Sequence, residues 1–315
     1  MRSDSGLLPL VSVVIPTRNR PEVVCRAARS ALAQTYSNLE VVVVVDGPDP
    51  STVTALSRLN DPRMRIVALE ENVGGSEARN IGVRESLGEW VALLDDDDEW
   101  LPKKIERQLQ LSVRRLTKGT VISFCKYIYR RQGKRDQIWP LRLPGKEPMS
   151  EFMFDHCSGF QTSTFFIPRE YLMLHPFKKG LRGHQDWDWL LHVSSDPSVE
   201  MAIDPQPQSI FHVIPEIKRA SYGFDWRESL QWGQENRDNM TPKAYSRFIA
   251  YHCARLAVGE QARSKSLMPL ARECFLKGKP TAMTIAIFFL MYLMSPRARR
   301  ALHDCAVRQS RNERG

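Results

Sequence analysis

The chain has 315 residues, 42% of them hydrophobic, and a formal net charge of +9. That content supports one large domain or a domain with an appendage, and it excludes wholesale disorder. Six cysteines, at 25, 125, 157, 253, 274 and 305, show no C-x-x-C spacing. Neither a zinc site nor a disulfide framework is indicated, and buried thiols in a reducing cytosol are expected.

The opening stretch, "MRSDSGLLPLVSVVIP", lacks the long apolar segment of a signal peptide and soon turns strand-like. "LVSVVIPT" (10–17) is a β-branched apolar run, the pattern of a strand buried on both faces. Pro21 suits the first turn of a helix through "EVVCRAARSALAQ". "LEVVVVVDG" (39–47) predicts a second strand, "STVTALSRLN" a helix and "MRIVALE" (64–70) a third strand. After the loop "NVGG", the segment "SEARNIGVRESLG" predicts a helix with Ser76 as N-cap and Gly88 as stop. "EWVALL" (89–94) predicts a fourth strand. Pro102 then opens a helix in which Ile105, Leu109 and Val113 share a face. Four strands alternating with helices through short connections argue for an open parallel sheet covered by helices.

The second half is less regular. "TVISFCKYIY" (120–129) and "SGFQTSTFFIP" (158–168) look like strands, and "DWDWLLHVSS" looks helical. Beyond about 240 the pattern is helical, with no strand signal. From Tyr251 to Gly315 there are 12 Lys/Arg against 4 Asp/Glu, nearly the whole basic excess. "TAMTIAIFFLMYLM" (281–294) is followed by "RARR" (297–300). Fourteen residues are too few for a comfortable span, which takes roughly 20. Two readings are open: a core helix with a solvated basic cap, or peripheral contact with the cytoplasmic face of a membrane. This composition favours a membrane over nucleic acid as partner.

In an open α/β sheet, ligands sit outside the carboxyl ends of the strands. Three strands end there in "PTRNR", "DGPD" and "DDDDE", which brings Thr17, Arg18, Asp46 and Asp95–Asp98 toward one crevice. If the acidic run stays extended, Asp95 and Asp97 point one way, and Asp96 and Asp98 the other. Paired carboxylates call for a proton or a hard cation such as Mg²⁺ or Mn²⁺. A calcium loop is disfavoured, because Trp100 stands where that loop needs glycine. On the residues alone, a metal–phosphate site and a solvated acidic turn both remain open.

The ordered set "VSVVIPTRNRP", "LEVVVVVDGPD", "ENVGGSEARNIGVRESLGEWVALLDDDDEWLPKKIE" and "GHQDWDWLL" resembles the family 2 glycosyltransferases, over roughly residues 10–215. The resemblance implies the GT-A fold: a Rossmann-like mixed sheet flanked by helices, here with a C-terminal helical extension. It divides the chain into a transferase domain, 8–235, and a basic helical extension, 236–315. Within the first, 8–115 would bind nucleotide and 116–235 acceptor. It also implies a nucleotide-sugar donor (uridine diphosphate by family frequency), Mn²⁺ or Mg²⁺, inversion at the anomeric carbon, and a carbohydrate or lipid-linked acceptor. Pro16, Thr17, Arg20, Asp46, Arg79, Asp95 and Asp96 would line the nucleotide-sugar site. Asp97 and Asp95 would hold the metal, with His212 a further candidate ligand and Asp98 the alternative if the register slips by one. Asp186 would be the general base.

Departures from the family pattern are Val45 in place of a second aspartate before Asp46, Gln185 in place of the usual glutamate, and the altered approach "HPFKKGLRG". They keep open a non-catalytic binding or scaffold subunit of a polysaccharide assembly. A nucleotidyltransferase would carry a glycine-rich phosphate loop after the first strand, where this chain has "PTRNRP". Trp187, Trp189, Trp226 and Trp232 could stack on sugars, with core packing the default.

Overall fold

The computed structural model describes residues 8–115, 119–155, 159–213 and 225–294. The expectations for Cys157, Cys305 and the basic run 297–300 fall outside them. The chain divides into two compact units: residues 1–140 with 160–220, and residues 141–159 with 221–315. The second unit thus takes in 141–159 and 221–235, which the sequence reading placed in the first.

The first unit opens as its hydrophobic pattern dictates. Strands β1 (Val11–Thr17), β2 (Leu39–Val45), β3 (Met64–Ala68) and β4 (Trp90–Leu93) alternate with helices α1 (Pro21–Leu32), α2 (Pro50–Ser57) and α3 (Gly75–Glu85). They are followed by β5 (Glu99–Trp100), α4 (Lys104–Arg115), β6 (Thr120–Arg131) and β7 (Gln137–Trp139). Next come α5 (Met149–Met153, in the second unit), β8 (Phe166–Pro168), α6 (Arg169–Leu174), α7 (Gln185–Val193) and β9 (Val199–Val213). The sheet order is β3-β2-β1-β4-β8-β6-β9-β5, with β7 paired to β6. Only β1–β4 form the all-parallel sheet expected. Strand β8 runs antiparallel to β4 and to β6, and β5 antiparallel to β9. The fold is a mixed sheet flanked by helices.

Strand β1 lies between β2 and β4, so the connections leave it in opposite directions. This switch point opens a crevice at the carboxyl ends of β1 and β4. The valines of β2, Val41 to Val45, are all fully buried, which explains their uninterrupted apolar run. Gly82 of α3 lets the helix settle on the sheet. A Cβ there would lie 2.4 Å from Val14 Cγ1 and 3.2 Å from Val44 Cγ2. Gly82→Ala is therefore expected to destabilise the protein by about 1–3 kcal/mol through overpacking, read as a lower Tm.

Several local expectations are corrected. Helix α3 is capped by Gly74 at φ 84° and ends at Ser86, while Ser76 lies inside it. Gly88 is needed for close packing, since a Cβ would come within 2.6 Å of Ser12 Oγ and 2.7 Å of the Leu10 carbonyl. Val113 is 53% exposed, and the buried face of α4 runs through Lys104, Ile105, Gln108, Leu109 and Ser112. Of the described residues 159–168 only Phe166–Pro168 is strand, because Thr162–Thr164 form a tight helical turn. Strand β9 was missed: Pro205 and Pro207 argue against a long strand. They sit where the β6–β9 register slips, Cys125 facing Asp204 and Lys126 facing Pro207, so few ladder bonds are lost.

The second unit contains α8 (Trp226–Glu235), α9 (Pro242–Arg247), α10 (Ala254–Gly259), α11 (Arg263–Arg272) and α12 (Ala282–Leu293). Wider turns at Phe248–Cys253 and Glu273–Lys277 interrupt it. No strand occurs beyond 240 among the described residues.

Candidate active site

The acidic run does not stay extended. Asp98 N–H donates to the Asp95 carbonyl at 3.1 Å, closing a turn, so strict alternation of side chains is lost. Each carboxylate then finds its own surroundings. Asp95 accepts from Arg79 Nη2 at 2.6 Å, and its N–H donates to Ser163 Oγ at 3.0 Å. Asp96 accepts from Thr17 Oγ1 and from Arg20 Nη1, both at 2.7 Å. Asp97 Oδ2 lies 3.7 Å from the same Arg20 nitrogen, and the Asp97 carbonyl accepts from Arg26 Nη2 at 2.7 Å. Asp98 is fully buried, taking the Ser163 hydroxyl at 2.6 Å and the His212 N–H at 3.3 Å. Glu99 meets Arg26 Nε at 3.2 Å and His212 Nε2 at 2.7 Å.

Three guanidiniums, those of Arg79, Arg20 and Arg26, thus stand against Asp95, Asp96, Asp97 and Glu99. The crowding shows on Asp96, whose carboxyl is pushed up to about 6 by burial, against the pull of Arg20 and with the push of Asp97. His212 is lowered, by burial first and then by the nearby Arg26 charge.

Arg79, on α3, joins this turn to α7. Its Nη1 donates to Gln185 Oε1 at 2.6 Å while its Nη2 holds Asp95. Gln185 Nε2 in turn donates to the Leu181 carbonyl at 2.6 Å. A guanidinium only donates and a carbonyl only accepts, so an amide serves both partners where a carboxylate could serve one. Helix α7 starts after His184, at φ 58°, whose ring stacks on Trp187 at 4.8 Å. Burial lowers that imidazole to about 3, so it is neutral at physiological pH.

Asp186 follows in the first turn of α7 and accepts the Trp187 N–H at 2.9 Å. Its residue surface is only partly covered, yet the carboxyl lies deep enough for burial to dominate. It is pushed up to about 6 by burial and then by Asp95, with Arg79 opposing. A helix N-terminus alone would act the other way.

Asp46 is 5% exposed and accepts the Val73 and Gly74 N–H groups at 2.7 and 3.0 Å. It clasps the end of β2 to the start of α3. Pro16 is partly buried at the end of β1, and Arg18 is exposed beside it. Trp189, Trp226 and Trp232 are buried core residues, which leaves Trp187 as the partly exposed one. The sequence reading missed Arg26 and Ser163. Arg26 sits on α1, where nothing in its own segment marks it. Ser163 lies in a stretch read as plain strand.

Among the described residues, no three carboxylate, imidazole or thiol groups converge as a ready metal cage. Residues 12–174, just over half the chain, match the family model "Glycosyl transferase family 2". The chain belongs to glycosyl transferase family 2. This family 2 enzyme is 28% identical over 280 residues to the amylovoran biosynthesis glycosyltransferase AmsB of Erwinia amylovora, covering 85% of this chain and 91% of AmsB. Its fold matches Staphylococcus aureus TarS 1–349 in complex with UDP-GlcNAc at a TM-score of 0.58 and 14% identity, over 96% of this chain and 91% of TarS 1–349. It matches the mannosyltransferase PcManGT of Pyrobaculum calidifontis, solved with GDP-Man and Mn²⁺, at 0.58 and 19% identity, over 98% and 87%. The sheet is that of a GT-A transferase. No described helix is long and apolar enough to cross a membrane.

Proposed function

We propose that this family 2 enzyme moves a sugar from a nucleoside-diphosphate donor to a hydroxyl of a carbohydrate or lipid-linked acceptor, with inversion, in surface-polysaccharide synthesis. The observation that carries this reading is Arg79, whose two terminal nitrogens join Asp95 of the acidic turn to the residue preceding Asp186. A leaving-group side and a base side are thereby held in one crevice. AmsB, named for amylovoran biosynthesis, supports a glycan acceptor, and TarS bound to UDP-GlcNAc makes a uridine diphosphate sugar the first donor to test.

Asp186 takes the proton of the attacking hydroxyl. A carboxyl near 6 is mostly ionised at neutral pH yet more basic than an ordinary aspartate, which suits that task. Pro16, Thr17, Arg20, Asp46, Arg79, Asp95 and Asp96 line the nucleotide side. Asp46 does so by holding the 73–74 loop. Asp97 and Asp95 are the proposed ligands of Mn²⁺ or Mg²⁺. Two hard carboxylates without a third protein ligand fit a cation that completes its shell with phosphate and water. When bound, that cation neutralises charge on the departing diphosphate. His212 has Glu99 as its close neighbour instead.

Full-length protein with Mn²⁺, screened against a panel of nucleotide sugars, should bind one donor and slowly hydrolyse it. Failure to bind any donor would overturn the enzymatic reading. Gln185→Glu gives a finer check. It loses the donation to Leu181 and adds a negative charge beside Asp186, which raises that carboxyl further. The acidic limb of kcat/KM should move up by about one pH unit. A pH-independent loss instead would assign Gln185 to folding alone.

A further inference from the structure

Helix α12 has two unlike sides. Thr284 and Phe288 are fully buried, and Phe288 packs edge-on against Phe275 with ring centroids 5.2 Å apart. Tyr292 Oη and Ser266 Oγ lie 2.9 Å apart, and Arg263 Nη2 donates to the Met294 carbonyl at 2.9 Å. These contacts pin the helix along one flank. The exposed residues are Ala282, Met283, Ile285, Ala286, Phe289, Leu290 and Leu293. At about 100° per residue they form one arc of roughly 160° that carries no polar side chain. Phe289 is 45% exposed, Met283 62% and Leu293 79%. The core-helix reading of this segment therefore fails on this side, since the most apolar face is turned outward.

We propose that this face of α12 docks on an anionic lipid surface. Twelve residues make a helix of about 18 Å, too short to cross the ~30 Å hydrocarbon layer but suited to lie in its interface. The charges near it along the chain are mostly basic. Lys277 and Lys279 are exposed just before α12, and Arg263 reaches its carboxyl end. From 261 to 294 the chain has five Lys/Arg and a single acid, Glu273, which is occupied by Tyr245 Oη at 2.6 Å. Apolar side chains between cations match a bilayer bearing anionic headgroups. A second copy of this face would instead bring the same cations together.

Co-sedimentation of the full-length protein with sucrose-loaded vesicles tests it. Vesicles of phosphatidylcholine with one-third phosphatidylglycerol should bind at least tenfold more tightly than phosphatidylcholine alone, with the difference shrinking in high salt. The double substitution Met283→Ser with Leu293→Ser should lower partition about tenfold or more on the anionic vesicles. Both side chains are already exposed, so an unchanged Tm should accompany the loss. Lys277→Gln with Lys279→Gln should remove most of the anionic preference alone. Equal binding by the serine variant and the parent would overturn the proposal. So would a concentration-dependent dimer in lipid-free solution that the same substitutions dissolve, because the face would then belong to a second copy.

Discussion

Asp186→Asn is expected to lower kcat by about 10²–10⁴-fold, the usual contribution of a positioned general base, while donor affinity stays within a few-fold of the parent. Asparagine keeps the shape of the side chain and its acceptor for the Trp187 N–H, so the start of α7 survives. What disappears is the ability to take a proton. The pH profile of the parent should agree: kcat/KM should fall as pH drops through about 6, where the free enzyme's Asp186 becomes protonated. Stability should move the other way. A carboxyl whose folded pKa lies above its unfolded value of 3.8 favours folding at low pH, and that advantage is lost as pH rises from about 4 through about 6. At neutral pH the charged Asp186 is therefore a burden on the fold. Asp186→Asn should raise stability by about 1–2 kcal/mol, after allowance for solvent screening at a partly exposed residue. A variant that is inactive but less stable than the parent would mean that Asp186 is structural.

Asp97→Asn should remove most of the metal-dependent part of donor use. Charge stabilisation by a bound cation is worth several kcal/mol in the transition state, so kcat/KM should fall by about a thousandfold. Nucleotide affinity measured with chelator present should hardly change. Asp98→Asn is the control that separates metal from architecture. Asp98 has no exposed surface and accepts from Ser163 and the His212 N–H. An amide cannot satisfy both partners and adds its own buried donor, a cost of about 1–3 kcal/mol in stability. Metal dependence should persist in what folds. If Asp98→Asn abolishes the Mn²⁺ response and Asp97→Asn spares it, the ligands are shifted by one residue.

The parallel part of the sheet was legible because it is buried on both faces. Runs such as Leu39–Val45 leave little choice but a central strand, and the carboxyl ends of β1 and β4 then bring Thr17 and Asp96 within a hydrogen bond of each other. The shape of the acidic run was not legible. Five adjacent carboxylates read as an extended string, while the turn depends on Ser163 and His212, which arrive from distant segments. Strand β9 was hidden for a similar reason. Two prolines forbid a long ladder unless the partner strand slips, and that slip is a property of the pair rather than of either sequence. The surrounding motif singles out Asp186 as a candidate, but its raised proton affinity is not written there, because it comes from burial and from Asp95.

Arg79 pairs with Asp95, 16 residues along the chain, and with Gln185, 106 residues along. Strands β6 and β9 likewise pair only after residues 199–213 exist, and closing so long a loop is slow. During synthesis from the N-terminus, the strands β1 to β4 can therefore form well before Asp186, the proposed proton acceptor, joins them. On the proposed function, a nascent or truncated chain ending before α7 would hold the acidic turn without the group that activates a hydroxyl. Reactive capacity thus appears last and all at once, coupled to completion of the sheet.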